Sequence, residues 1–307
     1  MSTPATPSTA SPFPGWLVTF LRNLFTLLER VAPRLGARIF YRLLTRPRRR
    51  ATPASARNLM IRSRRRVLTV NGAPVVAYSW GEGYRTALVL HGWESRAAHF
   101  AGLIDALVNA GYRVVALDAP AHGASGGRES HLPAFWAALD AVIAADGEPH
   151  IIIGHSLGGA VAALHVSHLP ADRSMPLLVS IAAPRAPRTW FDLAARFLGV
   201  GPRLMTAFYA RLASLFPWEV DDLDLRRHRP HGTIMVVHDS DDPVVPVAAG
   251  RELAAIWGAD RYLETDGAGH YRIIHEPRVH AAILEFVVEH CPPAPVSTRA
   301  ALHSATL

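Results

Sequence analysis

Ser156 lies in the turn Gly154-His155-Ser156-Leu157-Gly158, a Gly-x-Ser-x-Gly pattern. Ile151-Ile152-Ile153 comes directly before it and Ala160-Val161-Ala162-Ala163-Leu164 shortly after. A β-branched run ending a buried strand, a tight turn and an immediate helix are the context in which a serine hydroxyl is held out as a nucleophile. The turn forces the serine into a strained backbone conformation, and only glycines leave room for strand and helix to close around it. The electropositive start of the helix suits an oxygen that must carry negative charge. The plainer reading is a glycine-rich turn of a doubly wound sheet, so the chemistry rests on what else reaches the same edge.

A serine hydroxyl holds its proton too tightly at neutral pH and needs a base, which in turn needs an acid to orient it. Ligands of parallel α/β sheets bind beyond the carboxyl ends of the strands. Three further strand ends carry candidates: His91-Gly92-Trp93 after Leu90, His238-Asp239-Ser240-Asp241-Asp242 after Val237, and Asp266-Gly267-Ala268-Gly269-His270 after Glu264. Serine, acid and histidine therefore occur in that order, each just past a strand. Of the possible bases, His270 follows a glycine at a strand exit and His238 and His275 do not. Asp239, Asp241 and Asp242 all remain open as the acid. That acidic cluster lacks the glycine and distal glutamate of a calcium loop. His165 and His168 stand three apart with no third ligand nearby in sequence, so they read as solvated or core histidines and no metal is expected. His122 and His155 read as residues that shape the turns beside the site.

The elements that must position these residues follow from the hydrophobic pattern. Val67–Val70 and Val75–Ser79, joined at Asn71-Gly72, predict a β-hairpin, because Asn-Gly supplies the positive φ angles of a tight turn. Strands then alternate with helices. The strands are expected at Thr86–Leu90, Arg113–Leu117, His150–Ile153, Leu177–Ile181, Thr233–Val237 and Arg261–Glu264. The helices are expected at Ala97–Asn109, Leu132–Ala145, Ala160–His168, Ala248–Ile256 and Pro277–His290. Short apolar strands separated by helical lengths imply an α/β fold with a mostly parallel central sheet and helices on both faces. Residues 185–230 interrupt the rhythm with helical stretches at about Trp190–Leu198 and Leu204–Leu215, which predicts a small helical cap over the site.

Before the hairpin, Leu17, Leu21, Leu24, Leu28, Val31, Leu35 and Ile39 recur at helical steps, with Pro33 dividing the run in two. The chain has 307 residues and a net charge of +7, and all 32 of its basic residues are arginine. Fourteen arginines fall in residues 1–66 against the single acid Glu29, whereas 18 face 24 acids thereafter. The basic character thus belongs to an N-terminal arm, and no interleaved aromatic platform supports nucleic-acid binding. Residues 16–50 fit either an interfacial helix drawn to an anionic membrane surface or an extension packed on its own domain. Their most apolar part is too short to span a bilayer. Residues 1–15 read as a mobile leader and 293–307 as a flexible tail. The single Cys291 excludes an internal disulfide framework. No secretory leader is recognisable, which points to the cytoplasm, with the inner membrane face as a second location.

With these residues in place, about 66–290 of the chain resembles the α/β-hydrolase superfamily, in the manner of serine esterases and monoglyceride lipases. Gly154-His155-Ser156-Leu157-Gly158-Gly159 resembles the family's nucleophile elbow, Asp242-Pro243-Val244-Val245-Pro246 its acid segment, Gly269-His270 its base, and Asp118-Ala-Pro-Ala-His-Gly-Ala-Ser125 a loop of the same family. The resemblance implies an α/β-hydrolase domain at 63–292 with its cap at about 185–230, an arginine-rich helical extension at 1–62 lying outside it, and a tail at 293–307. It selects Asp242 among the three aspartates. It also implies that His91 and Gly92 form an oxyanion loop, with the backbone N–H groups of Trp93 and Leu157 as donors. The expected activity is cleavage of a small-molecule ester or lipid through an acyl-enzyme, without a cofactor. Acyl transfer, thioester or amide cleavage would use the same groups, and a noncatalytic scaffold on this fold is the alternative of another class.

Overall fold

A computed structural model of the protein describes residues 14–170 and 173–293. All but the first residue of the expected tail and most of the expected leader lie outside those residues; Gly15, assigned to the leader by sequence, already begins a helix. The arm folds as α1 (Gly15–Val31) and α2 (Pro33–Thr45), with Pro33 at the first position of the second helix, where its missing N–H costs nothing. A short α3 (Arg57–Ile61), not foreseen from the sequence, leads to β1 (Arg64–Val70) and β2 (Ala73–Trp80). Five residues are too few to show a helical period, and α3 is held by tertiary contact: Leu59 is buried and its carbonyl accepts the indole N–H of Trp80 at 2.8 Å.

The alternation then runs β3 (Thr86–Leu90), α4 (Ala101–Asn109), β4 (Arg113–Asp118), α5 (Leu132–Asp146), β5 (Ile151–His155), α6 (Leu157–Ser167) and β6 (Leu177–Ile181). The insertion follows as α7 (Pro187–Leu198) and α8 (Pro202–Leu215). It is succeeded by β7 (Ile234–Asp239), α9 (Val247–Trp257), β8 (Arg261–Thr265), a four-residue α10 (Gly269–Arg272) and α11 (Pro277–His290). The first turn of the helix expected from Ala97 is a 3-10 turn, and the helix expected from Ala160 begins at Leu157.

The eight strands form one sheet in the order β1-β2-β4-β3-β5-β6-β7-β8. β1 pairs antiparallel with β2 and β2 with β4, and the remaining neighbours are parallel. β5 is buried along its whole length. Ile151 and Ile153 enter the core on one face and Ile152 the core on the other, which is why this strand reads as a β-branched run without polar alternation. The chain passes from β3 outward to β4 and then crosses back to β5. The carboxyl ends of β3 and β5 therefore flank the point where strand order reverses, the place such sheets bind ligands.

A third core lies outside the sheet. Leu21, Phe25, Phe40 and Tyr41 of the arm are buried with Leu198, Leu204, Phe208 and Leu212 of the insertion. Phe25, Phe40, Phe208 and Phe191 form a chain of edge-to-face rings with centroids 5.0–6.0 Å apart. The Glu29 carboxylate accepts the N–H groups of Arg203 and Leu204 at 2.8 and 2.9 Å, satisfying orphan donors at the start of α8. Of the two readings of residues 16–50, packing on the chain's own body is what these helices do on one face. Among the described residues no helix is long and apolar enough to cross a membrane.

Candidate active site

Ser156 stands between β5 and α6 with φ 52° and ψ −122°, a strained conformation for a residue with a side chain. Such strain costs on the order of 1–3 kcal/mol and persists only where surroundings enforce it. The enforcement is visible in its neighbours. The Ser156 N–H is tied to the Ile181 carbonyl of β6 at 2.8 Å. A Cβ at Gly154 would stand 2.4 Å from the Gly158 carbonyl oxygen, and one at Gly158 would stand 2.5 Å from that of His91. Strand, turn and helix close only because both positions are glycine.

His270 is carried by α10, and its Nε2 lies 3.0 Å from Ser156 Oγ. Its Nδ1 donates to Asp242 Oδ2 at 2.7 Å. The other oxygen of Asp242 accepts the N–H groups of Val244 and Val245, both at 2.8 Å. Burial pushes the Asp242 carboxyl up, but the imidazoles of His238 and His270 and the Val245 N–H outweigh it and hold the group well below the usual carboxylate range. Three residues from 156, 242 and 270 thus form one hydrogen-bonded row, almost entirely shielded from solvent.

The two rival aspartates have other partners. Asp239 Oδ1 accepts the N–H groups of Asp241 and Gly269, and Oδ2 accepts the Ala268 N–H and the Thr265 hydroxyl. Asp241 accepts the Gly267 N–H at 2.9 Å. Both staple the loop that carries His270, and neither faces its ring. Of the rival bases, His238 Nε2 donates to the Val245 carbonyl and lies 3.5 Å from Asp242 Oδ2, and the ring of His275 stands beside that of His99 rather than at Ser156. His155 Nε2 donates to the His270 carbonyl at 2.8 Å, and burial pushes its ring down to about 3, so it is a neutral prop behind His270.

The His91-Gly92-Trp93 segment lies against the serine, since a Cβ at Gly92 would be 2.8 Å from Ser156 Cβ. His91 Nδ1 donates to the Gly92 carbonyl at 2.7 Å and Nε2 accepts the Ala119 N–H at 2.9 Å, an arrangement only the neutral ring permits. Burial holds His91 well below the usual imidazole range, consistent with that form. Glu94, at φ 50°, is pinned by its N–H to His122 Nε2, and His122 donates in turn to the Pro120 carbonyl. The Trp93 and Leu157 N–H groups have no acceptor among the described residues.

A cavity of about 200 Å³ opens on Ser156 and His270. Trp93 and Leu157 line it, as do Trp190, Phe191, Phe208 and Phe216 of the insertion. Tyr41, Leu44 and Thr45 of the arm line it too, which sequence reasoning missed: helical periodicity marked the buried face of α2 but carried no sign of what that face met. His165 on α6 pairs with Asp140 at 3.2 Å, while His168, just past the helix, donates from Nδ1 to the Leu164 carbonyl and packs against Trp136 and His228, so the two histidines have separate partners. Among the described residues no group of three or more His, Cys, Asp or Glu side chains is arranged to hold a metal ion.

Comparisons with known proteins agree with this architecture. A monoacylglycerol lipase from Mycolicibacterium smegmatis is 24% identical over 231 residues, covering 62% of this chain and 82% of that protein. A pimeloyl-[acyl-carrier protein] methyl ester esterase from Xanthomonas oryzae pv. oryzae is 36% identical over 121 residues, 38% of this chain and 46% of that one. The chain spans less than half the length of the other curated relatives it matches. Among solved structures, an esterase from Pyrococcus furiosus shares the fold with a TM-score of 0.60 at 20% identity, over 80% of this chain and 96% of its own. The sequence model of the alpha/beta hydrolase family matches residues 87–283, which takes in the strand ends bearing Ser156, Asp242 and His270, and the chain belongs to that family of hydrolases.

Proposed function

We propose that the protein is a serine hydrolase that cleaves a carboxylic ester through an acyl-enzyme. The supporting observation is the hydrogen-bonded row of Ser156 Oγ, His270 and Asp242 opening on an apolar cavity. Ser156 Oγ attacks the ester carbonyl carbon while His270 Nε2 takes its proton. Asp242 keeps the ring proton on Nδ1, so Nε2 is the free acceptor, and stabilises the imidazolium that forms. The carbonyl oxygen becomes an oxyanion met by the N–H groups of Trp93 and Leu157, each worth roughly 2.7–4 kcal/mol of barrier. The C–O bond to the alcohol breaks as His270 returns the proton to the leaving oxygen. Water, deprotonated by the same ring, then frees the acid and restores Ser156. In this reading residues 63–292 are the catalytic domain, about 185–230 its cap, and 1–62 an extension.

Labelling with a fluorophosphonate probe tests the reading: wild-type protein should react and Ser156→Ala should not. Equal labelling of both, or of neither, overturns it. A panel of p-nitrophenyl esters, with thioester and amide controls, then separates ester cleavage from the other reactions this chemistry supports.

A second proposal concerns an anionic membrane surface. α1 exposes Trp16, Phe20, Leu27 and Val31 on one stripe, and α2 exposes Arg34, Arg38 and Arg42 at successive turns. Arg46, Arg49 and Arg50, though exposed, pair with the body of the chain, at Glu129, the Gly123 and Gly127 carbonyls, and Glu94, so the cations of residues 16–50 that carry this proposal are those of α2. Sedimentation with phosphatidylglycerol vesicles should show binding that weakens with salt. Binding that ignores salt, or none, removes this proposal and leaves the esterase reading intact.

A further inference from the structure

We infer that helix α2 is a working wall of the substrate cavity and that Leu44, beside Tyr41, sets the length of acyl chain the enzyme accepts. The inference rests on the ester hydrolysis proposed above and gives that site its substrate class, straight-chain acyl esters of limited length. The same cavity is lined by Ser156 and His270 and by Tyr41, Leu44 and Thr45. The family match begins at residue 87, so this wall comes from a part of the chain the match does not reach.

The wall carries no charged side chain of its own. The Thr45 hydroxyl donates to the Tyr41 carbonyl at 2.9 Å. Burial pushes the Tyr41 phenol up, which keeps it neutral. The Arg211 guanidinium lies over the Tyr41 ring, 4.9 Å from its centroid. Of the three side chains α2 gives the cavity, Leu44, half-buried, is the purely aliphatic one.

The wall is also fixed in place. Gly36 lets α2 approach α8 so closely that a Cβ there would stand 2.3 Å from Leu204 Cδ1. Phe40 packs edge-to-face on Phe208, itself a cavity residue. At the carboxyl end of α2 the Thr45 carbonyl accepts the Ser130 N–H at 2.7 Å, joining the helix to a loop that lines the same cavity. Beyond it, Arg48 and Arg50 reach Glu94, the residue after Trp93, at 3.1 and 3.5 Å. A wall packed on α8 at Gly36 and Phe40 and tied to the Ser130 loop at its carboxyl end resists retreat when a longer chain enters, so side-chain volume at position 44 becomes a length limit.

Two full-length variants of opposite volume test this, Leu44→Trp and Leu44→Ala. The readout is kcat/KM on p-nitrophenyl acetate, butyrate, octanoate and decanoate. Each methylene accommodated is worth about fourfold. Leu44→Trp should lower the octanoate-to-acetate ratio at least about tenfold, and Leu44→Ala should raise the decanoate-to-acetate ratio by about fourfold or more. A merely loosened arm would move both variants the same way, so opposite shifts support the wall. Ratios within about twofold of wild type, or shifts in one direction, overturn it. Failure of the esterase reading is separable: calorimetric binding of decanoate to Ser156→Ala protein should still weaken about tenfold on adding Leu44→Trp. Unchanged decanoate affinity overturns the wall whatever the outcome of the activity assay.

Discussion

Asp242→Asn is the substitution whose consequence the geometry specifies most tightly. In the wild type one carboxylate oxygen accepts two backbone N–H groups, from Val244 and Val245 at 2.8 Å, and the other accepts His270 Nδ1–H at 2.7 Å. An asparagine has one acceptor oxygen for these two sites. Turning its NH2 toward Val244 and Val245 would set it against two donors and leave both N–H groups without an acceptor, at about 1–3 kcal/mol each. The amide oxygen therefore stays on the backbone pair and the NH2 faces His270. The ring must then present a lone pair at Nδ1, which puts its proton on Nε2, pointing at Ser156 Oγ. In that tautomer the base has nothing to accept with. The expected loss in kcat is about 10⁴-fold, close to 5.5 kcal/mol of barrier. The melting temperature should move only a few degrees, because no cavity is made. Steady-state hydrolysis of p-nitrophenyl butyrate reads kcat, and calorimetry reads stability. Asp239→Asn is the internal comparison: its oxygens serve the loop, so it should cost stability before it costs kcat. A loss below tenfold for Asp242→Asn, or a greater kcat loss for Asp239→Asn, would refute the assignment of the acid.

Further outcomes follow from the same contacts. Burial keeps His155 neutral down to about 3 and His122 down to about 4, whereas an unfolded imidazole titrates near about 6.5. Stability should be full above about pH 6.5 and fall toward pH 4 at roughly 1.4 kcal/mol per unit for each such ring; urea melts across that range check it, and a flat profile contradicts the burial of neutral histidines. Gly158→Ala would drive a methyl toward the His91 and Leu90 carbonyl oxygens at 2.5 and 2.6 Å, so fluorophosphonate labelling should fall at least about tenfold with a lowered melting temperature. Phe208→Ala should destabilise by about 3–5 kcal/mol and expose the arm to limited proteolysis, because this ring joins arm and insertion. Glu29→Ala should cost about 0.5–2 kcal/mol by uncapping α8, read as a shift in urea midpoint.

Much of the fold was legible along the chain. The strands at Thr86–Leu90 and Leu177–Ile181 and the helix at Pro277–His290 stand where the hydrophobic pattern put them, because a strand buried on both faces or a long amphipathic helix writes its environment into a local period. The short α3 and α10 were not legible, since four or five residues show no period and their stability comes from neighbours. His270 was identified by its position past a strand, but the α10 turn that aims it was not foreseen. The partners of Arg46, Arg48, Arg49 and Arg50 were not legible either, since Glu129, Glu94 and the Gly123 and Gly127 carbonyls lie 44 to 83 residues away in the chain.

By itself the amino-acid order determined where a strained serine had to stand and that acid and histidine candidates followed at strand exits. Turn sterics and side-chain alternation act over a few residues and leave their mark in sequence. It could not rank three neighbouring aspartates on spacing, because a shift of one residue in a loop costs little locally and is decided by which carboxylate the distant ring meets. Nor could it reveal that an N-terminal helix closes the cavity. That contact joins α2 to α8 across more than 150 residues of chain, and only the packed molecule brings Phe40 against Phe208 and Tyr41 beside the serine's pocket.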